Sequence, residues 1–286
     1  MALVNFRTLG PLGFRLSRAY IYPAHTGRDF MGDLLAELKR RGVCFARIGD
    51  TMSGLADPSA LELPGVETID RHTFVLDLEQ DEDTIFGNMH GSARNRIRKT
   101  EKEGVETAEA ASLDDVDEYW RLSRVTSDRI RARGSILEMP RAFFVEVFER
   151  MIKQGTARLV LARHGDTILS GVLCLVLGDT MLAYHAASTR DRSFTAKHGP
   201  TAGFWRAVRT ARELGLKWFD FGGCTPGLPK TDSRHGVYFF KSQWGGELRK
   251  FYNGTAVLSP AGYRFQEKIL APLWEVAHPL YLKLRR

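Results

Sequence analysis

Between residues 157 and 187 the chain carries three apolar runs, 157–163, 167–178 and 180–187, separated by the pairs Gly165-Asp166 and Gly178-Asp179. Runs rich in Leu, Val and Ile that are bounded by Gly-Asp pairs read as strands joined by hairpin turns. Pro200 then starts a helix over 201–214, which Gly215 ends, and Lys217 opens a further short strand, 217–221. Three antiparallel strands, a helix and another strand exclude an all-helical or all-β domain, and the fold class is α/β (α+β).

The rest of the chain gives a sparser version of this pattern. A strand is expected near residues 19–22. Apolar residues at 30, 31, 34, 35 and 38 place a helix over 29–41, stopped by Gly42, with a strand over 43–48 behind it. Residues 49–66, with Gly, Asp, Ser and two prolines, read as a loop, and 73–78 as a strand followed by an acidic helix start at 79–83. A basic helix then runs to Gly104, with a strand over 105–108. A long helix over 112–133 opens at Ser112 and Asp115, spaced as a capping box with the shorter acid. Pro140 begins another helix, 141–154, and 222–229 reads as a long irregular connection. Strand 251–258 and an amphipathic helical stretch over 260–286, interrupted by Pro272 and Pro279, complete the chain.

The 286 residues suit one large domain or two of about 140. Forty-one Lys and Arg against 34 Asp and Glu give a net charge of +7, which favours an anionic partner. The three cysteines, Cys44, Cys174 and Cys224, form no disulfide framework or zinc spacing; a reducing compartment is expected, with Cys44 and Cys174 as buried thiols. No signal segment and no apolar run of about 18 residues is visible, so a cytoplasmic location is expected.

Two stretches stand out chemically. Gly236-Val-Tyr-Phe-Phe-Lys-Ser-Gln-Trp-Gly-Gly246 sets Lys241 among Tyr238, Phe239, Phe240 and Trp244. On a helix, Arg94, Arg98 and Lys102 share one face near a helix start, which reads as an anion site or as a solvated face balanced by Glu101 and Glu103.

Arg94-Asn-Arg-Ile-Arg-Lys-Thr-Glu-Lys-Glu-Gly-Val105 resembles a segment of the Fem family, as do Ala211-Arg-Glu-Leu-Gly-Leu-Lys-Trp-Phe-Asp-Phe-Gly222 and Phe239-Phe-Lys-Ser-Gln-Trp-Gly-Gly246. The resemblance covers residues 30–258, and the joint order of the motifs is more specific than any one of them. It implies two acetyltransferase-like (GNAT) lobes with mixed, largely antiparallel sheets flanked by helices. They are lobe one at 1–107, with the C-terminal helix 260–286 packing back on it, and lobe two at 108–259. No sustained heptads are present, so the coiled-coil arm of many cell-wall members is not expected. The implied activity is transfer of an amino acid from aminoacyl-tRNA to an amine of a peptidoglycan precursor or natural-product peptide. Charged tRNA would be the co-substrate, with no cofactor and no metal.

A GNAT fold also invites an acyl thioester donor such as acyl-CoA. That requires a glycine-rich turn of backbone amides around a pyrophosphate at a helix start. Here Arg190-Asp-Arg-Ser-Phe-Thr-Ala-Lys-His-Gly-Pro200 offers one glycine followed by a proline without an N–H.

By the resemblance, Lys241 matches the functional lysine and contacts substrate and oxyanion, with Phe240, Trp244, Tyr238, Arg94 and Arg98 binding substrate. A lysine that simply snorkels from a strand is the alternative. Asp220 is a candidate base or a structural aspartate capping nearby amides; His185, His198 and His235 are further candidates, and no Cys-His-Asp order supports Cys224 as a nucleophile. Arg96, Lys99, Lys102, Arg249 and Lys250 are expected on tRNA phosphates, with Arg129, Arg131, Arg133 and Lys197 as further basic groups. The basic tail 283–286 is a candidate for transient contact with an anionic membrane surface.

Overall fold

The computed structural model describes residues 2–9, 16–23, 27–49, 54–131, 139–232 and 234–270. The chain divides into two compact units, 1–71 with 250–286, and 72–249. Both units mix strands and helices, with largely antiparallel sheets.

The first unit holds β1 (Ala2–Leu9), β2 (Leu16–Pro23), α1 (Arg28–Arg40) and β3 (Val43–Ile48), with most of β10 (Glu247–Val257), in the strand order β1-β2-β3-β10. Apolar spacing on α1 buries Met31, Leu35 and Leu38 against Val43, Ala46 and Ile48 of β3 and Ala256 of β10. Gly42, at φ +76°, supplies the left-handed residue that ends α1. A 3₁₀ turn, Pro58–Leu61, lies in the expected loop. The start of the C-terminal segment, α9 (Pro260–Phe265), packs on this unit: Tyr263 meets Phe45 edge-on at 5.2 Å, and Glu267, just beyond it, pairs with Arg47 at 3.3 Å. Residues 271–286, with the basic tail, lie outside the described residues.

The second unit begins within β4 (Val66–Asp77). It contains α2 (Glu82–Asn88), α3 (Gly91–Lys102), β5 (Glu106–Glu109), α4 (Leu113–Arg131), α5 (Arg141–Val147), β6 (Ala157–His164), β7 (Thr167–Leu177), β8 (Thr180–Ser188), the one-turn α6 (Arg192–Thr195), α7 (Gly199–Glu213), β9 (Trp218–Cys224) and α8 (His235–Ser242). The strand order is β4-β9-β8-β7-β6-β5. β6 and β7 are buried on both faces, and their residues alternate between two cores. Val160, Val172 and Cys174 face α3 and α7, through Ala93, Ile97, Phe204, Ala207 and Val208. Leu159, Leu161 and Leu173 face α4 and α5, through Val116, Tyr119, Leu122 and Phe144. Ser112 and Asp115 cap α4 reciprocally, with Asp115 N–H donating to Ser112 Oγ at 3.2 Å and Ser112 N–H to Asp115 Oδ2 at 3.1 Å.

Three expectations are corrected. The unit boundary falls at 71/72 and not at 107/108, because β4 pairs with β9 and Met89, Ala93 and Ile97 enter the core of the second unit. Residues 222–224 continue β9 as a strand, since Gly223 and Cys224 pair with Thr73 and His72 of β4. Lys241 lies on the helix α8 and not on a strand.

Candidate active site

β8 and β9 run parallel only through Leu182 and Asp220. Beyond that point β8 stays with β7 and β9 with β4, so the two strands part. A bulge in β8 between Ala183 and His185 and another in β9 between Asp220 and Gly223 accompany the separation. The open end of β9 carries Asp220, Gly222, Gly223 and Cys224.

α8 aims Lys241 at this end. Its ammonium donates to the Gly222 carbonyl at 2.8 Å and to the Gly223 carbonyl at 3.0 Å, and the side chain is 6% exposed. Gly222 adopts φ +73°, a conformation open to glycine with little penalty. Glycines also bring the end of α8 close to its neighbours. A Cβ on Gly245, at φ +77°, would sit 2.7 Å from the Asn88 carbonyl oxygen, and one on Gly246 would sit 2.9 Å from that of Val75. The paired glycines that follow Lys241 are thus required by packing.

Burial pulls the Lys241 ammonium down to about 8, against the opposing pull of Cys224 and Asp220, so it remains charged at neutral pH. Burial likewise raises Asp220 above its ordinary range, while hydrogen bonds from Thr73 and Gly222 N–H and the charges of Lys241 and Arg249 favour its ionised form. The Gly222 N–H donates to Asp220 Oδ1 at 2.7 Å. Burial also raises the Cys224 thiol, which leaves it a poor nucleophile near neutral pH.

Thr73, which no sequence motif marks, joins the group. Its hydroxyl lies against Asp220 Oδ1 and 2.9 Å from the Gly222 carbonyl, and the residue is 4% exposed. A strand pairing that spans 147 residues of sequence brings it there.

Other expected site residues have different surroundings. Trp244 is 1% exposed, enclosed by Phe204, Phe221 and Phe240, and so belongs to the core, with no surface for a substrate. Phe240 and Tyr238 are half-buried, against Phe204 and Phe74. Arg94 is bound to the Gly87 carbonyl and Arg98 lies over the Phe86 ring at 5.2 Å, so both fasten α3 to α2. Arg249 stacks on Trp218 at 4.4 Å and pairs with Glu247, and Lys250 pairs with Asp70 at 3.5 Å. Arg96 and Lys99 stand near His198, where burial first and their charges second depress the imidazole. Lys102 is exposed on the same helix, and Lys197 pairs with Glu103. Arg129, Arg131 and Arg133 fall outside the residues whose side chains are described.

The histidine candidates for the base lie elsewhere. His185 meets the Tyr119 hydroxyl at 2.6 Å in the core facing α4, and burial holds it down to about 4. His235 stacks on Phe239. At the start of α7, the Thr201 and Ala202 N–H groups both donate to the His198 carbonyl and Pro200 has none to give, so the turn lacks a pyrophosphate cradle. Among the described residues no cluster of His, Cys, Asp and Glu is spaced to hold a metal ion, and no helix is long and apolar enough to cross a membrane.

The family model described as an acetyltransferase (GNAT) domain matches residues 87–242, more than half of the chain. A lipid II:glycine glycyltransferase of Staphylococcus haemolyticus (strain JCSC1435) is 33% identical over 130 residues, which is 44% of this chain and 30% of that protein. Another from Staphylococcus epidermidis (strain ATCC 35984) is 30% identical over 137 residues, 47% of this chain and 32% of that protein. The match thus spans about a third of these relatives' length. Among solved structures, the crystal structure of FemX superposes with a TM-score of 0.71 at 15% identity, covering 92% of this chain and 86% of that one, which shows a shared fold. On these grounds the chain belongs to the acetyltransferase (GNAT) domain family.

Proposed function

We propose that the protein is an acyltransferase that moves an aminoacyl group from charged tRNA to an amine of a peptidoglycan precursor of the lipid II kind. The observation that carries this reading is the buried, charged Lys241 beside Asp220 at the open end of β9. The relatives named lipid II:glycine glycyltransferase supply the substrate class. An aminoacyl ester is already activated. The enzyme's tasks are to set the amine against its carbonyl, to stabilise the oxyanion and to take up one proton. Lys241 has three N–H donors, and its described hydrogen bonds go to the Gly222 and Gly223 carbonyls. A third donor is left for the oxyanion. Asp220 accepts the proton as the amine attacks and returns it to the departing ribose oxygen, so an amide and a free tRNA hydroxyl result. Arg96, Lys99 and Lys102 serve tRNA phosphates, and a tRNA donor sets the reaction in the cytoplasm. An amine-bearing natural-product peptide is an acceptor of the same chemistry.

An acyl thioester is the second reading, favoured by the GNAT family match. The tied amides at the start of α7 oppose it. The test offers labelled glycine on tRNA, or labelled acetyl-CoA, to the protein with lipid II. RNase-sensitive transfer of glycine supports the proposal. Transfer from acetyl-CoA alone, untouched by RNase, overturns it.

A further inference from the structure

Thr73 has one hydroxyl proton and two close acceptors for it, a third, the Phe74 carbonyl, standing off at 3.5 Å. Its Oγ1 lies against Asp220 Oδ1 and 2.9 Å from the Gly222 carbonyl, the same carbonyl that takes a bond from Lys241 at 2.8 Å. Asp220 Oδ1 also accepts from the Gly222 N–H at 2.7 Å. With Asp220 ionised, Oδ1 can only accept, and the hydroxyl proton belongs to it. With Asp220 protonated, the carboxyl becomes a donor, and the hydroxyl is free to turn to the Gly222 carbonyl. The bulge in β9 opposite Phe74 and the positive φ of Gly222 bring the groups into this arrangement. Both are local departures from regular strand geometry.

We propose that Thr73 is a positioning residue whose single hydroxyl proton follows the charge of Asp220, going to the carboxylate when Asp220 is ionised and to the Gly222 carbonyl when Asp220 is protonated. Thr73 thereby couples the base to the carbonyl that anchors Lys241. The inference rests on Asp220 acting as the base in the proposed transfer. Asp220 is also faced by Lys241 from α8, Cys224 from its own strand and Arg249 from β10. None of these is altered by a change at Thr73. A charge-assisted hydrogen bond is about twice as strong as a neutral one, so removing the hydroxyl weakens the ionised state more than the protonated one.

The test uses the full chain with ¹³C-carboxyl aspartate, the Asp220 signal being assigned by its loss in Asp220→Asn. In Thr73→Val, whose side chain has nearly the same shape and suits a strand, the Asp220 ionisation constant falls about tenfold, whereas Thr73→Ser titrates like the wild type. In glycine transfer from charged tRNA to lipid II, the acidic limb of kcat for Thr73→Val moves to higher pH by the same amount with KM unchanged. An Asp220 signal that titrates identically in Thr73→Val and wild type overturns the proposal. A signal that moves while the acidic limb stays in place overturns Asp220 as the base and leaves the hydrogen-bonded unit supported.

Discussion

Burying Lys241 makes the stability of the protein depend on pH in a direction opposite to that of an ordinary paired lysine. The folded state holds the ammonium at about 8, against an ordinary value of 10.5, and burial is the cause. Between those values the unfolded chain keeps a proton that the folded chain has released, so stability rises with pH across this window. At 1.36 kcal/mol per pH unit, the gap amounts to about 3 kcal/mol. Lys241→Met removes the titration. It also leaves the Gly223 carbonyl without the ammonium donor, a cost that does not vary with pH. The difference between the two proteins, and not either stability alone, therefore isolates the lysine. Urea unfolding of both, followed by tryptophan fluorescence from neutral pH to above 10.5, measures it. Wild type gains about 3 kcal/mol on Lys241→Met between about 8 and 10.5. Parallel stability curves, or a gain by the variant as pH rises, refute the buried, depressed ammonium.

The remaining predictions bear on the neighbours of this lysine. Asp220→Asn retains the fold and lowers glycine transfer by about 10² or more, as loss of a general base does; in the wild type the rate declines as pH falls through the raised pKa of Asp220, which a pH–rate profile reads directly. Trp244→Ala opens a cavity among Phe204, Phe221 and Phe240 and costs about 3–5 kcal/mol, whereas Phe239→Ala, on a side chain 50% exposed, changes stability by about 0.5 kcal/mol or less; thermal unfolding separates them. Arg96→Ala and Lys99→Ala each reduce the salt slope of tRNA binding by about one, while Arg94→Ala leaves the slope alone and lowers thermal stability, because Arg94 is bound to the Gly87 carbonyl.

Local chemistry made much of the fold legible. Gly165 and Gly178, both at positive φ, close the hairpins that their Gly-Asp pairs announced, and the Ser112–Asp115 pair caps α4 as its spacing required. The helix α8 was not legible, because glycine, valine and aromatic residues are weak helix formers and its formation is decided by packing on β9 and α7. Contacts of long sequence separation were equally hidden. Thr73 meets Asp220 only because β4 pairs with β9, and the register of that pairing is written in no single segment. Arg94 and Arg98 have the look of an anion site on a helical wheel, yet a carbonyl and an aromatic ring one helix away occupy both guanidinium groups. Lys241 and Asp220 were singled out through motif resemblance and candidate chemistry, and both are hydrogen-bonded to Gly222.

The central claim is that Lys241 stabilises the charge that develops when an amine attacks an aminoacyl ester. Its most direct test is glycine transfer from charged tRNA to lipid II, measured for wild type and for Lys241→Met at neutral pH. Wild type is expected to form the amide, and Lys241→Met, still folded, to lose about 10²–10³ in kcat, the magnitude expected for one oxyanion donor. Transfer by the folded variant at the wild-type rate would contradict that claim.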